Sequence, residues 1–152
     1  DGALPAGNAV AVMNLLRINK FTADNTYFTR AEKALASLSG ALAATPTAFA
    51  GLLTALDFHL DQSREIIIVV PQDEVAAADP FLAILRKHHL PNQVLSVVSK
   101  GHNCQALEKI MPIVRNRPVM DGKATAYVCQ NHTCGLPTAD PHEFARLVGV
   151  QQ

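Results

Sequence analysis

The residue types best suited to chemistry lie near the end of the 152-residue chain, in Tyr127-Val128-Cys129-Gln130-Asn131-His132-Thr133-Cys134-Gly135-Leu136-Pro137. Two thiols flanking a histidine permit three uses: a disulfide across a tight loop, a redox pair, or two thiolate ligands with His132 as a third. The spacing is neither that of thioredoxin-type motifs nor half of a paired zinc ribbon, and no second cysteine pair exists. Free cysteines are among the most often buried residues, so Cys129 and Cys134 are expected to lie within bridging distance and to serve mainly as structural thiols. Asn131 is expected to bond its own loop backbone, and neither a metal nor any other cofactor is expected.

A second loop, Asp1-Gly2 with Pro5, Gly7 and Asn8, precedes a helix whose free N–H groups could face an anion or a polar ligand. Asp1, Asn8, Asn131 and His132 are therefore the candidate ligand-facing positions, although capping of the helix by Asn8 is the simpler expectation. Other groups do not converge. His88 and His89 read as cations in the last turn of a helix, and His59 lies two residues from both Asp57 and Asp61, too close in sequence to share a helical face with them. Gly101, His102 and Asn103 lack a glycine-rich phosphate fingerprint, and no nucleophile elbow or Walker loop occurs. No catalytic residue is assigned.

The elements that must position these loops fall into two parts, 1–62 and 63–152. In the first, Val10, Met13 and Leu16 mark a helix ending near Lys20. Asp24 caps a second helix with Phe28, Ala31, Leu35, Leu38 and Leu42 on one face. Thr45-Pro46 opens a third, with Phe49, Leu52, Leu53, Leu56 and Leu60 together. In the second part, Glu65 to Val70 is a β-branched run closed by Pro71, the pattern of a strand buried on both faces. Asp79-Pro80 starts a helix reaching Leu90, Gln93 to Ser99 is a strand, and a short helix spans 103–111. Lys123 to Gln130 is a further strand, and Asp140-Pro141 with Glu143 makes a capping box for a last helix. The order βαβαβα predicts a small parallel-sheet unit with its first strand central.

Composition narrows the classes of function. Apolar residues make up 49% of the chain and charged residues 17%, below the usual share of about 25%, so part of the surface is expected to be covered by other chain. Basic and acidic residues balance at 13 each, 4 against 5 in residues 1–62, which argues against nucleic acid as a partner. No apolar run approaches the roughly 20 residues that span a bilayer, so no membrane partner is expected. Few cysteines and no secretory leader give a cytoplasmic location as the expectation, and the opening at Asp1 reads as a cut within a longer polypeptide.

At the two distinctive loops the chain resembles the C-terminal segment of the YyaL-like, spermatogenesis-associated family of thioredoxin-domain-containing proteins. Pro5-Ala6-Gly7-Asn8-Ala9-Val10 and Asn14-Leu15-Leu16-Arg17, after Asp1, are similar to the family's Asp-x-x-x-Pro-Ser-Gly-Asn helix start, with Ala6 in place of serine. Gly122-Lys123-Ala124-Thr125-Ala126-Tyr127-Val128-Cys129, then Asn131, Cys134, Pro137 and Thr138-Ala139-Asp140-Pro141, resemble its terminal motif, and Leu90-Pro91-Asn92 adds to the likeness. The resemblance implies a parent with a thioredoxin-like domain and an α/α toroid of the six-hairpin kind seen in sugar epimerases and glycosidases. The fold class it completes is mixed: a three-helix segment ending the toroid, then the α/β unit. Two functions compete. One is a structural and interaction module that docks on the remainder of its parent chain, self-associates when alone and is not catalytic. The other contributes loop residues to a carbohydrate-acting or thiol-redox site, for which Asp1 is the sole carboxylate near a cavity mouth.

Overall fold

The computed structural model describes residues 4–101, 104–130 and 133–150, without the side chain of Cys104. Two helices and a tight connection open it. α1 (Gly7–Thr22) ends because Ala23 adopts the left-handed conformation, φ 55°, and its N–H donates to the Asn19 carbonyl at 2.8 Å. This carries α1 one half-turn past its expected end at Lys20. α2 (Asn25–Ala44) begins at Asp24, whose Oδ1 accepts from the Thr26 amide at 2.8 Å, so the expected cap is formed. α3 (Ala50–Leu60) does not start at Thr45. A 3₁₀ turn, Pro46–Phe49, precedes it, and the Thr45 side chain makes no cap.

The expected helical faces are corrected in two places. A 3₁₀ segment advances about 3.0 residues per turn instead of 3.6, which takes Phe49 out of the stripe, and within α3 itself the inward face is narrower than the row of leucines. α3 buries Leu52, Ala55 and Phe58, while Leu53 and Leu60 are 38% and 73% exposed. In α1 the buried set is Ala9, Val12 and Leu16, one position away from the Val10 and Met13 stripe. Small residues win there because α1 packs against both α2 and α3, and alanine lets neighbouring backbones approach. α2 buries Ala31, Leu35 and Leu42, as its spacing predicts. These helices form one unit, Asp1–Gln62, and the remaining chain forms another, Ser63–Gln152.

The second unit is organised by β1 (Arg64–Val70), whose residues from Ile66 to Val70 are all 1% exposed or less. Its neighbours are β2 (Gln93–Ser99) on one side and β3 (Thr125–Gln130) on the other, with β4 (Thr133–Cys134) beyond, in the order β2-β1-β3-β4. β1 thus lies inside the sheet, as its apolar content predicts. The β1 and β2 pair is parallel, Arg64 facing Gln93 and Val70 facing Ser99, joined through α4 (Asp79–Lys87). β3, however, is antiparallel to β1, with Ile67 opposite Tyr127, so the sheet is mixed and the expected all-parallel βαβαβα arrangement is corrected. The reason lies in the connection. α5 (Cys104–Ile110) spans seven residues, about 10 Å at helical rise, and the irregular chain from Met111 to Ala124 undoes that descent before β3 begins.

Within that connection Asp121 and Gly122 both have positive φ, 49° and 69°, and Lys123 N–H donates to the Met120 carbonyl at 2.8 Å. This two-residue turn of Asp-Gly type feeds β3 directly. The chain after β4 continues beside β3, where Ala126 and Thr138 exchange backbone bonds of 2.8 and 3.0 Å. Three steps along β3 from Cys129 face four from Cys134, so a bulge falls in the Gly135–Pro137 stretch, which accommodates a proline without a missing ladder bond.

α4 starts after a 3₁₀ turn, Val75–Ala78, with Asp79 inside its first turn and not acting as its cap, and it stops at Lys87. His88 is extended, φ −122° and ψ 139°, and so the two histidines lie beyond the helix end. α6 (Pro141–Leu147) is capped as expected, Asp140 Oδ1 accepting from the His142 amide at 2.9 Å. Glu143 turns to Arg146 at 2.9 Å, while the Asp140 amide donates to Thr138 Oγ1 at 3.0 Å, so no reciprocal capping box forms.

Candidate functional site

The alternation of β1 sends Ile66, Ile68 and Val70 to one face and Ile67 and Val69 to the other. On the first face α4 and α6 supply Phe81 and Phe144, in edge-to-face contact at 5.3 Å between centroids. On the second face Tyr127 and Cys129 of β3 pack with Val98 and Val114 under a strap running from Met111 to Val119. Among the described residues, the two cysteines and an arginine come together on this second face.

Cys129 and Cys134 face each other across the β3 and β4 pair and are joined by a disulfide, with Cα atoms 3.9 Å apart. Proximity, the expectation from sequence, holds, and of the alternatives left open the disulfide is the one formed. Cys129 is buried at 1% exposure and Cys134 is half-buried. Gly135 N–H donates to the Val128 carbonyl at 3.0 Å, which pins the second cysteine beside the first.

Arg117 is the residue that sequence reading missed. Its Nη2 lies 2.8 Å from Cys134 Sγ and 3.6 Å from Cys129 Sγ. Its guanidinium also sits 5.1 Å from the centre of the Tyr127 ring, a cation–π contact. The strap that carries it is tied down by the Tyr127 hydroxyl, which donates to the Pro118 carbonyl at 2.6 Å. Burial raises the Tyr127 phenol above its ordinary value of 10.0, with the charge of Arg117 opposing. Arg117 Nε is buried and has no hydrogen-bond partner among the described residues. No spacing rule places an arginine between Asn116 and Pro118, twelve residues before Cys129, over these sulfurs; the signal that existed was Asp121-Gly122, which folds the strap back on β3.

The other candidates are not gathered here. Asn8 is the second residue of α1, and the position before the helix is Ala6, extended at φ −66° and ψ 146°, so the expected cap by Asn8 is corrected. The helical phase begins at Gly7, which leaves Asn8 too far along to receive the N–H groups a cap satisfies. Asp1, Asn131 and His132 lie outside the described residues, and with Asp1 goes the carboxylate that a carbohydrate site would use. His59 packs its ring on Phe28 at 5.3 Å. Among the described residues no cluster of three His, Cys, Asp or Glu side chains could hold a metal, and no helix is long and apolar enough to cross a membrane.

No family profile matches the chain, and no solved structure matches it significantly. Three curated proteins do. The chain is 27% identical over 148 residues to spermatogenesis-associated protein 20 of Homo sapiens, covering 97% of this chain and 19% of that protein. It is 26% identical to the protein of that name from Rattus norvegicus and 25% to that from Mus musculus, each over 148 residues and 18% of the relative. The chain therefore spans about a fifth of the length of the curated relatives it matches, and the likeness runs along nearly all of it, in support of the family whose loops it resembles.

Proposed function

We propose that this chain is the C-terminal structural and interaction segment of a longer protein, and that it is not catalytic on its own. The α1, α2 and α3 helices are read as the last hairpins of an α/α toroid, and residues 63–152 as an α/β appendage to it. The observation that carries this reading is the apolar surface left on two helices that pack together: Val10 and Ile18 of α1 are 46% and 37% exposed, and Leu53 and Leu60 of α3 stand out as given above. Residues eight or seven apart return to about the same side of a helix, so each pair leaves exposed apolar side chains there, of the kind a neighbouring hairpin covers. The partner is the remainder of the parent chain; in its absence a second copy takes its place.

Sedimentation of the isolated chain tests this. Concentration-dependent association and binding of a hydrophobic dye are expected, both reduced by Leu53→Asp with Leu60→Asp. A monomer at every concentration that binds no dye overturns the reading. Activity screening of the full-length parent beside this segment tests the catalytic part, since turnover by the segment alone would contradict it.

A further inference from the structure

We propose that Cys129 and Cys134 form a reducible disulfide site whose reduced state is held by Arg117, with a small or protein-borne dithiol as the reactant. Among the described residues the oxidised form gives the Arg117 cation no anionic partner. The Arg117 guanidinium sits partly buried on the Tyr127 ring with Nη2 at both sulfurs, yet a disulfide sulfur is neutral and a weak acceptor. No ion pair among the described residues engages Arg117. A partly buried cation whose described neighbours are neutral sulfurs and a ring calls for an explanation, and reduction supplies one: it places a thiolate at the Nη2 that already lies against both sulfurs.

The chemistry balances as follows. The thiolate of the dithiol attacks Cys134 Sγ, the more accessible sulfur, and the bond to Cys129 breaks with the electron pair leaving on Cys129 Sγ. Arg117 Nη2 is 3.6 Å from that leaving group. The second thiol of the reactant then attacks its own bridged sulfur and releases Cys134 as a thiolate, 2.8 Å from Nη2. Two electrons pass from the dithiol, which becomes a disulfide, to the protein. Buried Cys129 takes one of the two protons, because an apolar setting favours the neutral thiol, and the other goes to solvent while Cys134 stays ionised beside the cation. Arg117 is thus a positioning and charge-stabilising residue, and Tyr127 holds it in place through the ring and through the Pro118 carbonyl.

The test uses the whole chain equilibrated with defined ratios of reduced and oxidised dithiothreitol, quenched by alkylation and read by mass spectrometry. At a pH above the thiol value in both proteins, Arg117→Gln is expected to lower the reduced-to-oxidised ratio at fixed poise about tenfold, the effect of a pKa change of about one unit in the thiol that loses its cation, and by less as the pH falls below those values. Arg117→Lys, which keeps the charge, is expected to recover part of that loss. In the unmutated reduced protein, alkylation of Cys134 is expected to show a pH midpoint clearly below the usual thiol value of about 8.5, with Cys129, which stands opposite buried Glu65 of β1, labelled more slowly. An unchanged ratio in Arg117→Gln overturns the proposal, and so does a Cys134 midpoint at or above the ordinary value, a measurement that needs no variant to fold.

Discussion

β1 shows two different ways of covering one strand. Its residues Ile66, Ile68 and Val70 face two regular helices and a pair of interlocked phenyl rings, a wholly apolar layer. Ile67 and Val69, their immediate neighbours, face a seven-residue helix, a 3₁₀ turn and an irregular strap, and in that layer lie an arginine, a tyrosine hydroxyl and a disulfide. Both faces exclude water from the strand equally well. What differs is the backbone of the cover: a helix satisfies its own carbonyls, whereas a strap leaves carbonyls such as that of Pro118 open to side chains. The disulfide and the guanidinium therefore lie on the face covered by the strap.

The largest expected effect breaks the apolar face. Phe144→Ala removes a fully buried ring that contacts Phe81, and should cost about 3 to 5 kcal/mol of unfolding free energy in denaturant titration. A cost under about 1 kcal/mol would mean that α6 is not an integral cover.

A sharper comparison sets Ile68→Ala against Ile67→Ala, adjacent residues on opposite faces. Each should cost about 2 to 5 kcal/mol, with Ile68→Ala the greater, because helices locked by an aromatic pair collapse less into a cavity than a strap does. Equal costs would remove the distinction between the two covers.

On the strap face, Tyr127→Phe deletes the bond to the Pro118 carbonyl at a cost of about 1 kcal/mol. The pH dependence adds a second readout. Because burial raises the folded phenol above 10.0, the folded state favours the neutral form. This contribution to stability is complete below that value and is lost as pH rises through the folded value. Denaturation midpoints measured into the alkaline range should therefore fall less steeply for Tyr127→Phe than for the unmutated chain; parallel curves would show that the hydroxyl is not buried as described.

The smallest effect belongs to the outer surface of α6. Arg146 and Glu143 pair at 2.9 Å, but with side chains 79% and 42% exposed, so Glu143→Ala should change stability by less than about 0.5 kcal/mol at moderate salt. A larger loss would give the helix cover an electrostatic share that its apolar packing does not require.

What the sequence determines by itself is what neighbours within a few residues decide. Asp24 and Asp140 cap their helices because each needs only an amide two residues on. The β-branched run from Glu65 and the limits of β2 follow from side-chain period and from flanking prolines. Thr45-Pro46 and Asp79-Pro80 show where this ends: the first opens a 3₁₀ turn and the second the first turn of an α-helix, because proline fits either. Tertiary structure alone decided the direction of β3, since that depends on whether the chain between Lys100 and Ala124 makes a net crossing of the sheet, a sum over many dihedrals that no local motif encodes. The same path brings Arg117 over Cys129 and Cys134. The two cysteines are near each other by sequence, and the pairing of β3 with β4 sets them opposite one another. Their cation comes from the far side of the Asp121-Gly122 turn, and only the antiparallel return of β3 beneath the strap places its charge on the sulfurs.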